Sequence, residues 1–221
     1  MCGRYSLFPD RAELAERFDL VNMEEFDWME RYNIAPSQNV LAIIRGEEGR
    51  RAGLLKWGLV PVWAKDPKIG YKMINARAET VDQKPSFKRL LKRRRCLIPA
   101  DGFYEWKKEK KEKHPFRFQL KTKEPFAFAG LWDKWVQNGT ALYTCTIITT
   151  EANELVRDVH DRMPVILEPG SEQIWLDRTM EDEAYLKSLL IPFEAGKMET
   201  YPVSPLVNSP KNDTKEILNS L

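Results

Sequence analysis

The chain is short of the residues that build metal and disulfide sites. Its 221 residues include three cysteines and two histidines. Cys2, Cys96 and Cys145 are odd in number and far apart, so they give neither a disulfide framework nor a metal-type spacing. No glycine-rich phosphate loop, zinc cluster or G-x-S-x-G elbow occurs. Hydrolysis through serine or metal is therefore not indicated, and no nucleotide cofactor is expected. No apolar run approaches the roughly 18 residues of a membrane span. The first 20 residues carry charges throughout and lack the apolar centre of a signal peptide. The expectation is a reduced, cytoplasmic protein, with no membrane partner and with Cys96 and Cys145 as ordinary apolar strand residues.

What is present is the material of a large core. Hydrophobic residues make up 43% and aromatics 11%, with 7 Trp and 10 Phe. One domain over 1–221 is expected, with the polar stretch 207–221 as a partly mobile tail. Nothing demands a dimer, so a monomer is the expectation. Net charge is only +2, but it is unevenly spread. Residues 50–125 carry 22 Lys/Arg against 8 Asp/Glu, and residues 151–200 carry 5 against 12. This asymmetry suggests a basic face and a polyanionic partner, though a charge run can also be no more than a solvated surface.

Periodicity places the elements. Asp10 with Glu13 forms a capping box for a short helix with Leu14 and Phe18 inward. Arg31–Pro36 reads as a loop, because the residue before proline is pushed out of the helical region. Val40–Ile44 and Leu54–Val60 read as strands. Pro61–Tyr71 reads as a loop rich in Pro, Gly, Trp and Lys. Ser86–Lys92 suits a short helix with a basic outer face. Phe103–Lys108 and Pro115–Lys121 form a hairpin whose second arm alternates Phe116, Phe118 and Leu120 with Arg117, Gln119 and Lys121. Phe126–Trp132 and Ala141–Thr150 pair across Asn138-Gly139. Thr150 can cap a helix to Asp158, two further helices fit 171–177 and 180–190, and Met198–Ser204 is a last strand. Strands in the middle with helices scattered around them argue for α+β, mostly antiparallel sheet.

Several polar residues lie where a core does not need them. Cys2 follows the initiator methionine, and its small side chain predicts that Met1 is clipped. Clipping would leave an amine and a thiol on adjacent carbons. Such an aminothiol condenses with an aldehyde to an imine, and its thiol then closes a thiazolidine ring. An α-amine of pKa ~7.8 is roughly a quarter to a third neutral at pH 7.4, whereas a lysine is about one part in a thousand neutral. Glu105 lies in the aromatic run Gly102-Phe103-Tyr104-Glu105-Trp106. Desolvation there would raise its pKa toward that of a proton shuttle, unless it faces outward. His160, before Asp161-Arg162, is either a functional or a structural histidine. Asn75 alone says little. Arg4, Arg77 and Arg162 are candidate phosphate ligands or solvated surface. Trp57, Trp63 and Trp106 could stack on bases or belong to the core.

Seven stretches taken in order carry a resemblance. They are Met1-Cys2-Gly3-Arg4-Tyr5, Tyr32-Asn33-Ile34-Ala35-Pro36, Trp57-Gly58-Leu59-Val60-Pro61, Asn75-Ala76-Arg77-Ala78-Glu79-Thr80, Arg95-Cys96-Leu97-Ile98-Pro99-Ala100, Gly102-Phe103-Tyr104-Glu105-Trp106 and His160-Asp161-Arg162-Met163-Pro164. The series resembles the SOS response-associated peptidase (SRAP) family, abasic-site processing proteins that crosslink to single-stranded DNA. Any one motif is weak, but the ordered set is specific and spans nearly the whole chain. Pro61-Val62-Trp63 has one tryptophan where some relatives have two.

The resemblance implies a small barrel-like sheet surrounded by helices. It implies that Cys2, freed of Met1, forms a thiazolidine with the C1′ aldehyde of an abasic site, by lyase-like Schiff-base chemistry, and so protects the site during the DNA damage response. It implies roles for Glu105 as proton shuttle, for His160 in opening the sugar ring and for Asn75 in positioning. It also implies DNA contacts from Arg4, Asn33, Trp63, Arg77, Trp106 and Arg162, and association with the nucleoid when bound. Two other readings stand beside this one. One is a thiol peptidase, with its own Met1 as a candidate substrate. The other is a non-catalytic binder of single strands.

Overall fold

The computed structural model describes residues 2–110 and 112–220. The chain begins with strand β1 (Tyr5–Leu7), helix α1 (Arg11–Phe18), β2 (Arg31–Ile34), β3 (Asn39–Arg45) and β4 (Arg50–Trp57). There follow β5 (Asn75–Arg77), α2 (Pro85–Arg93), β6 (Arg95–Ala100), β7 (Gly102–Glu109), β8 (Glu112–Leu120), β9 (Phe126–Gln137) and β10 (Thr140–Glu151). The last elements are α3 (Glu154–Arg157), β11 (Arg162–Pro164), β12 (Ile166–Leu167), α4 (Pro169–Leu176), α5 (Glu183–Ser188) and β13 (Met198–Pro202).

Asn138-Gly139 makes the turn expected of it. Both residues have positive φ, 50° and 79°, as a tight hairpin requires. The two long arms, β9 and β10, pair from Thr140↔Gln137 to Ile147↔Gly130. They are also the two strands that close a ring. β9 pairs with β6, β6 with β3, β3 with β4, and β4 returns to β10. The result is a closed five-stranded barrel, antiparallel except for the β4–β10 contact, where Lys56 faces Thr144 and Trp57 faces Cys145. β5, β11 and β12 attach to its β9–β10 wall. Closure removes the free edges that an open sheet of this size would expose. The fold is thus α+β with antiparallel sheet around a small barrel, as expected.

A second, open sheet has the order β13-β8-β7-β1-β2. It joins the barrel through one residue, Asp101, between β6 and β7. The Asp101 carboxylate accepts from the Ser6 hydroxyl at 2.5 Å, the Phe8 backbone N–H at 2.6 Å and the Arg117 guanidinium at 2.7 Å. Both ionic partners are buried, so each needs the other. The burial pushes Asp101 up to about 6 despite the adjacent Arg117. The alternation in β8 placed Arg117 and Gln119 opposite the phenylalanines, yet both are buried. The sheet is covered on both faces here, and the charge of Arg117 is answered from inside the protein.

Other expectations need correction. Residues 31–34 form a strand rather than a loop, because Tyr5↔Ile34 and Leu7↔Arg31 pair β2 to β1. The proline rule excludes helix there but not extended chain. β10 runs past Thr150 to pair with β11, so the next helix is capped by Asn153, which accepts from the Val156 N–H at 2.9 Å. Residues 207–220 pack against the rest of the fold. Val207 and Ile217 are buried with Tyr104 and Val203, and Val203 bridges Ser220. The Asp213 carboxylate accepts from the Tyr32 and Asn33 backbone N–H groups at 2.6 and 2.8 Å and from Arg31 at 2.5 Å.

Candidate functional site

The short β1 lies along β7 with Tyr5 opposite Phe103 and the Tyr104 N–H bonded to the Arg4 carbonyl at 2.9 Å. This pairing carries the start of the chain toward Glu105. Cys2 is fully buried. Burial pushes its thiol well up, the nearby Glu105 carboxylate pushes it further, and the Arg4 backbone N–H acts in the opposite direction. In this setting the sulfur is a neutral thiol, not a thiolate. Glu105 is 3% exposed, and burial together with the charge of Asp161 raises it to about 8. It therefore holds a proton at neutral pH.

Asp161 belongs to the turn that brings in His160. The His160 N–H caps the end of α3 on the Val156 carbonyl at 2.8 Å. Its Nδ1 lies 3.0 Å from the Arg162 backbone N and 3.2 Å from the Arg162 carbonyl oxygen, so the turn offers this nitrogen both a donor and an acceptor. Burial lowers the His160 pKa, while the Asp161 carboxylate 3.1 Å from Nδ1 opposes that shift. Cys2, Glu105 and the 160–161 turn are thereby electrostatically coupled, although they come from three separate parts of the chain.

The barrel supplies the other side. Trp57 ends β4, donates its indole N–H to the Ile74 carbonyl at 2.9 Å and packs edge-on to Tyr5 at 5.4 Å between ring centroids. Asn75 follows and pairs with Ile147 of β10. Its amide makes one long bond to the Ile147 carbonyl, 3.4 Å, and its buried Oδ1 has no hydrogen-bond partner among the described residues. A buried acceptor without a donor costs stability.

The expected DNA-contacting residues separate into two sets. Four are held internally. Arg4 donates to Asn33 Oδ1 at 2.8 Å and to the Val207 carbonyl at 2.5 Å, and lies over the Trp106 ring. Asn33 is fully buried, and its amide donates to the carbonyls of Val207, Ser209 and Asn212. Arg162 forms a bidentate pair with Glu79 at 2.6 and 3.0 Å and reaches the Thr149 carbonyl. Trp106 donates to Asn208 Oδ1 at 2.6 Å. In contrast, Arg77 and Trp63 are exposed. Trp63 is displayed by a loop whose neighbours are fixed to the β9–β10 hairpin. Asp133 accepts from the Val62 N–H at 3.2 Å, and Trp135 donates to the Ala64 carbonyl at 2.8 Å.

Tyr71, in the same loop region, was not singled out by sequence reasoning, yet it is 65% exposed. A tyrosine among Lys68, Lys72 and Gly70 was the available signal. Gly58 and Gly70 shape this region. Gly58 has φ 133°, and a Cβ on either glycine would meet the backbone carbonyl oxygen of the other at 2.7 Å.

Part of the charge asymmetry is spent within the protein. The basic face of α2 meets the acidic segment after it: Lys92 pairs with Glu183 and Arg93 with Glu181, each at 2.8 Å. Among the described residues no cluster of His, Cys, Asp and Glu could hold a metal.

Known proteins share this sequence pattern and this fold. Residues 1–210 match the family model described as SOS response associated peptidase (SRAP). Over its full length the chain is 54% identical to the full length of the abasic site processing protein YoqW of Bacillus subtilis. It is 30% identical to the abasic site processing protein YedK of Escherichia coli, with 99% of each chain covered. A crystal structure of a protein from Bacteroides thetaiotaomicron superposes with a TM-score of 0.88 at 30% identity, covering both chains completely.

Proposed function

Because the chain belongs to the SOS response associated peptidase (SRAP) family, we propose that it processes abasic sites in DNA by covalent capture on Cys2. The observation that carries this reading is the burial of Cys2 together with Glu105, whose pKa that burial raises. Removal of Met1 converts the Cys2 nitrogen from an amide to an amine. The amine adds to the C1′ aldehyde of the opened deoxyribose, and water leaves to give an imine. The thiol then adds across the C=N bond, its proton passing to nitrogen, and a thiazolidine closes. One water is lost overall.

A neutral thiol is suited to the last step, since it brings the proton that the ring nitrogen needs. Glu105 supplies and recovers protons during ring opening and dehydration. His160 assists opening of the sugar ring, and Asn75 Oδ1 accepts from the sugar or the reacting amine. Arg77 and Trp63 meet the flanking strand. Single-stranded DNA is the favoured form, because exposed rings beside cations engage unstacked bases and phosphates without reading sequence.

The test combines intact mass with a denaturing gel. Wild type should begin at Cys2, and an abasic single strand should add its own mass less one water as a heat-stable, slower band. Cys2→Ala should give no such band, and a retained Met1 or an acetylated terminus should abolish it with the thiol intact. A band of equal strength from Cys2→Ala would overturn the reading.

A further inference from the structure

Away from the reactive terminus, three guanidinium groups at the surface around one pocket have no carboxylate paired to them among the described residues. β6 runs from Arg95, where Arg45 of the adjacent β3 also ends, to Ala100, which leads through Asp101 into the second sheet. The two ends are about 17 Å apart at ~3.4 Å per residue. The reactive terminus lies toward the Ala100 end. At the Arg95 end is a pocket lined by Arg45, Arg93, Arg94, Arg178 and Trp132.

Arg95 itself is structural, buried and bonded to the carbonyls of Leu91, Lys92, Trp175 and Met180. Arg93 is held by Glu181. Asp177, the other nearby carboxylate, gives its Oδ1 to the Thr179 N–H and hydroxyl and feels the charges of Arg95 and Arg45 without an ion pair to either among the described residues. Arg45, Arg94 and Arg178 remain. Like charges gathered around a concave surface repel one another unless an anion joins them.

The pocket continues onto the outer face of the β9–β10 hairpin. Arg94 lies 4.2 Å over the Trp132 ring, Trp132 lies 6.5 Å from Tyr143, and the Lys134 ammonium lies 5.5 Å from the centre of Tyr143. Tyr143 is 43% exposed. Cations and rings thus alternate along the surface from the pocket outward. A free phosphate would use the pocket and ignore the rings. A duplex would present stacked bases that the rings could not reach.

We propose that the Arg45–Arg94–Arg178 pocket and the Trp132–Tyr143–Lys134 face form a second binding site for single-stranded nucleic acid, distinct from the reactive terminus. Phosphates sit among the arginines and bases rest on the two rings. The site holds strand beyond the segment that reaches Cys2, so this inference rests on the proposed function for its ligand.

The experiment uses the full-length Cys2→Ala protein, which binds without crosslinking, and undamaged oligo-dT of about ten or about forty nucleotides. Anisotropy is read across a salt series. The long strand should bind more tightly than the short. Arg45→Glu with Arg178→Glu should weaken the long strand about tenfold and flatten its log–log salt slope by ~1.4, two phosphates at ~0.7 each. Lys134→Glu, at the far end of the face, should weaken the long strand alone. Equal affinity of parent and variants for the long strand would overturn the proposal. So would saturation of the pocket by pyrophosphate without effect on long-strand binding. Crosslinking of a short abasic strand by the Arg45→Glu, Arg178→Glu protein with Cys2 intact should match wild type. Failure of wild type to crosslink any abasic strand would strike the proposed function and leave the binding result standing.

Discussion

A carboxyl group that keeps its proton to about pH 8 is a usable acid at neutrality, and Glu105 is held there mainly by burial. Crosslinking should therefore rise with pH as the amine deprotonates near ~7.8 and fall as Glu105 ionises. Glu105→Gln should lower the rate by about 10²-fold or more and remove the alkaline fall, measured as initial crosslink rate from pH 6 to 9. The same residue affects stability in the opposite direction. Its folded value lies above its ordinary 4.5, so its contribution is complete below that pH and is lost as pH rises through about 8. Glu105→Gln should then melt higher than wild type at pH 9, with the advantage shrinking toward pH 5. Asn75 gives a complementary test. Its side chain makes one long bond and leaves a buried acceptor without a donor. Asn75→Ala should change stability by less than about 1 kcal/mol while slowing capture at least tenfold. A large loss of stability would mean that the amide is structural.

At the scale of elements, the order of the chain and its contacts diverge. Asp213 sits far beyond β2 in sequence, yet accepts from two of its backbone N–H groups. Asp213→Ala should cost about 1–3 kcal/mol, and limited proteolysis should then cut first between 205 and 220. Gly102→Ala should also destabilise, since its Cβ would stand 2.5 Å from the Arg117 guanidinium and push it off Asp101. These contacts also explain what could be read in advance. The capping box at Asp10, the turn at Asn138-Gly139 and the basic helix near 85–93 announce themselves within a few residues, because their causes are local. Cys2, Glu105, His160 and Asn75 came from an ordered series of motifs, not from any pattern of spacing. The parallel β4–β10 closure, the docking of 207–220 and the inward Arg117 were not legible. Each depends on a partner some 15 to 180 residues away, and polar residues such as Asp213 look the same in a loose tail as in a bonded one.

On the scale of the molecule, Glu172 is a fixed point. It is 1% exposed on α4 and is shared by Arg17 of α1 and Arg50 of β4, at 2.7 and 3.2 Å. Glu172→Ala should cost about 3 kcal/mol, a fall of roughly 6–12 °C for a chain of this size, because two guanidiniums lose their buried partner. The pairing of β1 with β7 has a consequence in time. The partner of Tyr5 is Phe103, so the first strand waits until nearly a hundred further residues have been synthesised. At ~5–20 residues per second that is about 5–20 s. During this interval the amino terminus is an unstructured nascent end, open to any aminopeptidase beside the ribosome. Once β7 arrives, Cys2 is enclosed. Under the proposed function, the removal of Met1 is therefore set against a clock: an external enzyme has its freest access to the nascent end before this sheet forms.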